Sequence, residues 1–205
     1  MLEIQQLECT RGDHILFSNL NFSLRDGEIL HVRGSNGSGK TSLLRIICGL
    51  LMPSAGRICW DGGDIRKLRE EFTGNVTYLG HLNGIKGDLS GLENLQLGGK
   101  LDGLDISEQA GLAALSKMGL RGREDLPTKV LSQGQKRRVA LARLLLSKTR
   151  LWILDEPFVA LDVKAVAHLQ SVIQQHLEHN GMVVFTTHQE VEINTGRAHH
   201  IDLDL

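Results

Sequence analysis

The sequence predicts an α/β fold, in which a parallel β-sheet is covered by helices and interrupted by a mostly helical insertion. Three observations support this prediction. Short apolar runs at 151–154 and 182–186 have the length and continuity of strands that are buried on both faces of a parallel sheet. These runs alternate with segments of helical apolar spacing, as expected when helices connect parallel strands. A glycine-rich loop at 34–39 separates a predicted strand from a predicted helix.

The first half of the chain gives most of the predicted strands. The first 33 residues have strand patterns, and the last of these strands is the apolar run 29–32. Apolar residues of the segment 40–51 recur on one broad helical face, and Pro53 is expected to stop that helix. Another short strand is predicted at 76–79. These elements begin the alternation of strands and helices.

The second half of the chain contains the insertion and the return to the sheet. Between 81 and 147 the pattern changes to helices and glycine loops. The strand 151–154 follows, and a helix is predicted over 163–178 with Asp162 as its N-cap. The run 182–186 is predicted to be a last buried strand.

Composition excludes several classes of protein. The chain has 205 residues, of which 41% are hydrophobic and 23% charged, as in an ordinary folded protein. Its 23 Lys and Arg and 24 Asp and Glu give a net charge of −1, which argues against a basic surface for nucleic acid. The three cysteines, Cys9, Cys48 and Cys59, form no C-x-x-C pair, so we interpret them as small buried residues in a reducing compartment.

The sequence predicts no transmembrane segment and no secretion signal. Its most apolar stretch, 43–52, is ten residues long and contains Arg45, whereas a membrane-spanning helix needs about 20 apolar residues. The first residues lack both a basic start and an apolar signal core. We therefore expect any membrane-embedded part to belong to another chain.

A phosphate-binding loop is predicted between the strand 29–32 and the helix 40–51. The segment reads G-S-N-G-S-G-K-T and matches the pattern G-x-x-x-x-G-K-[ST] without a mismatch. Glycines let backbone N–H groups point at an anion, and the helix N-terminus adds about half a positive charge. Lys40 is expected to contact the β- and γ-phosphates of ATP, and Thr41 to bind Mg²⁺. The predicted ATP-binding residues of this segment are Gly34, Ser35, Asn36, Gly37, Ser38, Gly39, Lys40, Thr41 and Ser42.

Two carboxylates follow the apolar strand 151–154. Asp155 and Glu156 are expected to meet the phosphate loop, because ligands bind at the carboxyl edge of such sheets. Asp155 is predicted to hold Mg²⁺, directly or through water, and Glu156 to polarise the attacking water. By itself this pair also fits an ordinary strand-to-turn junction. The phosphate loop upstream favours the catalytic interpretation.

A third motif, L-S-Q-G-Q at 131–135, begins a predicted helix. Ser132 and Gln135 have the spacing of a capping box, and capping alone would account for both. Gly134 leaves this helix start open to close approach, and helix N-termini attract anions. The loop at 34–41 already covers one face of a triphosphate. We therefore expect the helix start to meet a nucleotide that is held by another copy of the chain.

The ordered set of motifs resembles that of the ABC-type ATPases over nearly the whole chain. The sequence L-S-x-G-Q, placed between a phosphate loop and a strand that ends in a carboxylate pair, is the signature of that family. The resemblance implies antiparallel edge strands, an inserted helical subdomain, and a head-to-tail dimer that encloses two ATP molecules. The residues implied to contact the partner's nucleotide are Ser132, Gln133, Gly134 and Gln135.

The resemblance also implies a division of the chain. One ATPase domain is expected to span 1–205, with a nucleotide-binding α/β core over 1–80 and 148–205. The segment 81–147 is expected to form the helical subdomain that carries the signature. The stretch 82–97 is the expected groove for membrane subunits.

Four further positions can be matched to the family one at a time. Asp162, after Ala160-Leu161, resembles the loop that crosses the dimer interface, and His188 resembles the switch histidine that contacts the γ-phosphate. Arg11 stands where an aromatic residue usually stacks on adenine, and an arginine plane can also stack on a base. His81 stands where a glutamine usually contacts the metal and water, and its imidazole could make the site sensitive to pH.

Short segments in the chain resemble the ATP-binding subunits of bacterial cytochrome c maturation systems, which are usually described as haem exporters. They are Leu16-Phe17, Tyr78-Leu79-Gly80-His81, Gly84-Ile85-Lys86 and Leu92-Glu93-Asn94-Leu95. This resemblance implies an ATPase that requires Mg²⁺ and lies on the cytoplasmic face of the inner membrane. Its implied partners are a second copy of itself and separate integral membrane subunits, without direct contact to nucleic acid. ATP hydrolysis would either pump haem or release a loaded haem chaperone.

Three other functions remain open at this point. The chain could serve another exporter of small substrates. It could be an ABC ATPase that acts on nucleic acid or ribosomes, although the balanced charge and the short chain argue against this. It could also be a nucleotide-binding regulator without turnover, although the intact Lys40, Asp155, Glu156 and His188 argue against that.

Overall fold

The computed structural model describes residues 1–189, 191, 193 and 197–204. The chain divides into two compact units, which we call the sheet unit and the helical unit. The sheet unit comprises 1–78, 149–156 and 173–205, and the helical unit comprises 79–148 and 157–172. The segment 157–172, which is predicted to belong to the core, groups with the helical unit in the structure. That the whole chain acts as one ATPase domain stays a prediction.

Two β-sheets lie within the described residues. Their strands are β1 (Leu2–Arg11), β2 (His14–Leu24), β3 (Ile29–Arg33), β4 (Ala55–Trp60), β5 (Gly63–Asp64), β6 (Val76–Leu79), β7 (Leu151–Asp155), β8 (Met182–Thr186) and β9 (Ala198–Asp202). One sheet has the order β2-β1-β4-β5 with antiparallel pairing. The other has the order β6-β7-β8-β3-β9, in which β3, β7, β8 and β9 run parallel. The predicted α/β fold class, with antiparallel strands beside a parallel sheet, is confirmed.

The central parallel strands are apolar because they are covered on both faces. Every residue of β7 and of β8 is buried, and Leu151 pairs with Met182 at the start of the two strands. Their carboxyl ends, Asp155 and Thr186, are also paired. This register brings the polar residues that follow the two strands to the same edge of the sheet.

The helices are α1 (Lys40–Ile47), α2 (Ile65–Leu68), α3 (Glu70–Thr73), α4 (Gly91–Leu101), α5 (Glu108–Lys117), α6 (Gln133–Ala142) and α7 (Val163–Glu178). Short 3₁₀ turns follow at Thr128–Val130 and Arg143–Leu145. Helices α4, α5 and α6 belong to the helical unit, and α7 begins in the helical unit and ends in the sheet unit. Among the described residues, no helix has the length and apolar character that a membrane crossing requires.

Helix α1 is shorter than the sequence predicts. It ends before Gly49, which has a φ of 73°. The Gly49 N–H donates to the Ile46 carbonyl at 2.9 Å and the Leu50 N–H to the Arg45 carbonyl at 2.8 Å, the two bonds of a helix C-terminus closed by a left-handed glycine. Leu50 is therefore 65% exposed instead of continuing the buried helical face. The prediction that Pro53 stops the helix was wrong.

The cysteines agree with their predicted role. Cys9, Cys48 and Cys59 are all free and buried. Burial raises the pKa of the Cys48 thiol, and the nearby Asp155 carboxylate raises it further. Thiols in such surroundings are inert packing residues.

Candidate ATP-binding site

The phosphate loop connects the end of β3 to the start of α1. Gly34, Gly37 and Gly39 have φ values of 144°, 91° and 101°, a region that favours glycine. A Cβ at Gly34 would collide with the Ser38 hydroxyl, so this turn requires glycine for steric reasons as well. Gly39 is the N-cap of α1, and no side chain among the described residues caps that helix. The first N–H groups of α1 are therefore suited to an anion.

The Lys40 ammonium lies inside the curl of the loop. Its Nζ donates to the carbonyl oxygens of Gly34 at 2.8 Å and Ser35 at 2.7 Å, and the residue is only 9% exposed. The Ser38 hydroxyl is buried and has no hydrogen-bond partner among the described residues. A charged donor and an unpaired hydroxyl in one curled loop fit a bound phosphate group.

Asp155 joins the loop to the two central strands. The Thr41 hydroxyl donates to Asp155 Oδ2 at 2.9 Å, and the Thr186 hydroxyl donates to Oδ1 at 2.9 Å. Asp155 is 2% exposed. Hydroxyl and carboxylate oxygens are the ligands that Mg²⁺ prefers, so Thr41 and Asp155 form a donor set that fits this ion.

Glu156 adopts an unusual backbone conformation beside this carboxylate. Its φ is 51°, which few non-glycine residues adopt. The Glu156 N–H donates to the Thr186 hydroxyl at 3.0 Å, which fixes the turn. The His188 N–H donates to Glu156 Oε2 at 3.3 Å, and His188 Nε2 lies 3.5 Å from Oε1. A largely buried carboxylate beside an imidazole, next to a phosphate loop, can accept a proton from a water molecule.

The signature residues lie in the helical unit at the start of α6. Gln135 N–H donates to the Ser132 hydroxyl at 3.2 Å, and Ser132 N–H donates to Gln135 Oε1 at 2.9 Å. This confirms the predicted capping box. A Cβ at Gly134 would lie 2.6 Å from the Ala160 carbonyl oxygen. The group that approaches Gly134 closely is therefore a backbone carbonyl of the same chain. Gln133 is the first residue of α6.

Asp162 caps α7, as the sequence predicts. Its Oδ1 accepts a hydrogen bond from the Ala165 N–H at 2.9 Å, and its Oδ2 pairs with the Arg138 guanidinium of α6. The Ala165 N–H, with further help from Arg138, holds the pKa of the Asp162 carboxyl below its ordinary value. The loop before α7 is thus tied to the signature helix within the helical unit.

Comparisons with known proteins decide the family. Residues 17–159 match the family model described as ABC transporter. A protein from Nitrosomonas europaea, named cytochrome c biogenesis ATP-binding export protein CcmA, is 55% identical over 99% of this chain and 95% of its own length. The protein of the same name from Nitrosospira multiformis is 57% identical over 94% of this chain and 93% of its own length. The chain is a member of the ABC transporter family. The predicted resemblance is confirmed.

Solved ABC cassettes share the fold. A bacterial ABC transporter cassette solved as a dimer has a TM-score of 0.83 and 25% identity, covering 99% of this chain and 95% of that one. A cassette in a dimeric post-hydrolysis state, bound to ADP and Pi, has a TM-score of 0.81 and 25% identity over 92% of this chain and 88% of that one. The dimeric form and the bound ADP and Pi are observations on those two cassettes.

The structure places the predicted site residues in two groups. The first group belongs to the sheet unit and lies at or after the carboxyl ends of the parallel strands β3, β7 and β8. Its members are Lys40, Thr41, Asp155, Glu156 and His188. Arg11 also belongs to the sheet unit, as the exposed last residue of β1. The signature, Asp162 and the exposed His81 belong to the helical unit. The adenine contact of Arg11 and the metal contact of His81 stay predictions.

Sequence reasoning missed three residues of this ABC cassette. Thr186 bridges Asp155 and the Glu156 backbone, and Asp204 accepts hydrogen bonds from Ser35. Arg137 is 4% exposed and donates to the Gly80 carbonyl at 3.1 Å. Thr186 could have been noticed as a hydroxyl at the polar end of an apolar strand. Nothing in the local sequence marks Asp204.

Proposed function

We propose that this chain is the ATP-hydrolysing, energy-coupling subunit of a bacterial ABC complex in the inner membrane. One observation carries the proposal: a phosphate loop, a hydroxyl–carboxylate pair and a carboxylate–imidazole pair lie together at one edge of the parallel sheet. The residues are Lys40, Thr41, Asp155, Glu156 and His188. Membership of the ABC family supports ATP as the nucleotide.

Each of these residues has a role in hydrolysis. The Lys40 ammonium exchanges its loop carbonyls for the β- and γ-phosphates, and α1 presents its N-terminal N–H groups to the same charge. Thr41 and Asp155 would hold Mg²⁺, which would neutralise phosphate charge when bound. Glu156 Oε1 or Oε2 takes a proton from the attacking water, and His188 fixes that carboxylate and contacts the γ-phosphate. Arg11 stacks on the adenine.

A second copy of the chain completes the reaction. Ser132, Gln133, Gly134 and Gln135 of one copy present the start of α6 to the nucleotide of the other, and Asp162 lies at the interface. The dimeric form of similar cassettes supports this arrangement. The electrostatic basis is the same as in the phosphate loop, because a helix N-terminus attracts an anion.

The proposed cargo follows the relatives. Proteins named cytochrome c biogenesis ATP-binding export protein are about half identical to this chain, which supports a role in haem export or haem-chaperone release during cytochrome c maturation. The chain would act on the cytoplasmic face of the inner membrane, bound to separate integral membrane subunits. Leu82 and Leu97, at the two ends of the stretch 82–97 that is expected to bind membrane subunits, are 84% and 37% exposed, which suits a docking surface.

ATP turnover tests the assignment of the phosphate loop. Lys40→Ala removes the ammonium, so we expect ATP turnover to fall by about 10²–10³-fold while the fold survives. Steady-state phosphate release measures this, with Lys100→Ala at an exposed helical position as the control. Turnover retained by Lys40→Ala would contradict the assignment of the loop.

Purification of the chain from native membranes tests the cargo. Haem-handling membrane proteins are expected to accompany it. Permeases for sugars or peptides would contradict the cytochrome c assignment, and ribosomes or nucleic acid would contradict transport itself.

A further inference from the structure

An aspartate after the last strand contacts the phosphate loop. The Ser35 N–H donates to Asp204 Oδ2 at 2.6 Å, and the Ser35 hydroxyl donates to Asp204 Oδ1 at 2.9 Å. Each oxygen of the Asp204 carboxylate thus accepts one hydrogen bond, and both donors belong to Ser35. Hydrogen bonds to an ionised carboxylate are shorter and stronger than neutral ones.

Strand pairing fixes where this carboxylate lies. β9 pairs in parallel with β3, from Ala198 opposite Ile29 to Asp202 opposite Arg33. Leu203 is buried, and its N–H donates to the Arg33 carbonyl at 3.1 Å. The Asp204 N–H then donates to Asp202 Oδ1 at 3.0 Å. The position of Asp204 is therefore set by the edge of the sheet from which the phosphate loop departs.

The other side of Ser35 faces the catalytic lysine. The Ser35 carbonyl accepts from Lys40 Nζ at 2.7 Å, so Asp204 and Lys40 hold opposite ends of this residue. A Cβ built at Gly34 would lie 3.5 Å from Asp204 Oδ1, which shows how closely the carboxylate approaches the first turn of the loop. Asp204, Ser35 and Lys40 thus form one hydrogen-bonded chain.

We propose that Asp204 is a positioning residue for ATP binding: it orders the first turn of the phosphate loop before the nucleotide arrives. This rests on the proposed function, because it assumes that the loop binds ATP. A loop that is ordered only part of the time binds with an affinity reduced by that fraction. The charge of Asp204 by itself would repel phosphate, so the two effects have opposite signs and can be separated.

The variants Asp204→Ala and Asp204→Asn separate the ordering of the loop from the repulsion of phosphate by the carboxylate charge. Asp204→Ala removes both acceptors, and we expect the Kd for ATP to rise about tenfold, which corresponds to ~1.4 kcal/mol. Asp204→Asn keeps one acceptor oxygen and loses the charge, so its Kd should lie between those of the wild type and the alanine variant. If repulsion were dominant, both variants would bind ATP more tightly than the wild type.

The measurement uses the full chain and titration calorimetry with ATP and Mg²⁺. Steady-state kinetics on the same samples should show that KM carries most of the effect and kcat little of it, a split that simple loss of folded protein would not produce. Asp105→Asn, at an exposed position of the helical unit, is the control for loss of one negative charge. It should leave the Kd unchanged.

A double-mutant cycle with Ser35→Ala identifies the contact. Asp204→Ala should raise the Kd less in the Ser35→Ala background than in the wild type, because one of the two hydrogen bonds is already absent. Equal or tighter binding by Asp204→Ala, or strictly additive effects, would overturn the inference. Failure of the wild type to bind ATP would instead refute the proposed function. If Asp204→Ala does not fold, Asp204→Asn and Ser35→Ala give the same test.

Discussion

At the scale of single residues, Thr186 connects the two carboxylates of the site. Its hydroxyl donates to Asp155 and accepts the N–H of Glu156, whose φ of 51° is otherwise unfavourable. One hydroxyl therefore orients the carboxylate proposed for Mg²⁺ and holds the turn that carries the proposed base. A strained backbone conformation persists only when surrounding contacts hold it in place. At Glu156 the hydrogen bond to the Thr186 hydroxyl is such a contact.

Replacement of Thr186 by the isosteric valine tests that role. Thr186→Val should lower kcat by about tenfold or more, since a hydrogen bond to a charged group is worth about 1.5–3 kcal/mol. Thr77→Val is the matched control, because Thr77 is also buried, with 9% exposure against 0% for Thr186, and its hydroxyl bonds to the Thr149 hydroxyl at 2.7 Å. The control should lose stability but not turnover. Equal kcat values for the two variants would contradict a catalytic role for Thr186.

His176 makes stability depend on pH. Burial lowers the pKa of its imidazole to about 4 from 6.5, and the ring stacks on Trp152 with centroids 3.7 Å apart. The unfolded chain takes up a proton near pH 6.5 and the folded chain only near pH 4. The free energy of unfolding should therefore fall as pH drops through this range, by about 2 kcal/mol between pH 6.5 and 4.5.

Urea unfolding across that pH range measures the effect. His176→Phe keeps an aromatic ring against Trp152 and cannot titrate, so its stability should lose this part of the pH dependence. His179→Gln, at an exposed position of the same chain segment, should retain it. An unchanged slope in His176→Phe would show that other groups cause the acid sensitivity.

At the scale of elements, the start of α6 carries two functions that can be separated. Ser132 caps the helix, so Ser132→Ala and Ser132→Arg both lose about 1 kcal/mol of stability. Only arginine adds bulk where the partner's nucleotide is proposed to bind. We therefore expect Ser132→Arg to abolish turnover while the isolated subunit still binds ATP.

Ser90 provides the matched control for this helix. It makes the same type of capping box at α4, with Glu93 in place of Gln135. Ser90→Ala and Ser132→Ala should show comparable losses of stability, and Ser90→Ala should retain turnover. Loss of ATP binding in monomeric Ser132→Arg would indicate a local folding role instead of a role at the partner's site.

The elements also show what the sequence could predict. The bounds of α7, β6 and β8 agree with those predicted from the sequence. β8 is buried at every residue, so its apolar run is unbroken, whereas buried and half-buried residues alternate along β6. The end of α1 was wrong because Leu50 prolongs the apolar spacing past a left-handed glycine. β4 was not predicted, since its first three residues are exposed and Gly56 occupies a left-handed position against the Gln6 carbonyl.

Some residues of the candidate site could likewise be predicted from the sequence, and others could not. Lys40, Thr41 and Asp155 belong to motifs whose spacing is local, so the sequence predicts them. The bond between Thr186 and Asp155 joins residues 31 positions apart, and that between Ser35 and Asp204 joins residues 169 positions apart. Such contacts depend on the order of strands in the sheet, which one sequence does not state.

At the scale of the whole molecule, the proposed function requires a dimer that closes around ATP. The sheet unit holds the phosphate loop and the carboxylates, and the helical unit holds the signature. Similar cassettes have been solved as dimers, one of them with ADP and Pi. A slow or blocked hydrolysis step should therefore accumulate the closed dimer.

Glu156→Gln tests this most directly. The amide cannot take a proton from water, so ATP should stay bound and the variant should elute as a dimer when ATP and Mg²⁺ are present, and as a monomer without them. Size-exclusion chromatography with light scattering measures the mass, and Glu156→Gln combined with Ser132→Arg should remain monomeric. A Glu156→Gln protein that binds ATP and stays a monomer at micromolar concentration would contradict the account.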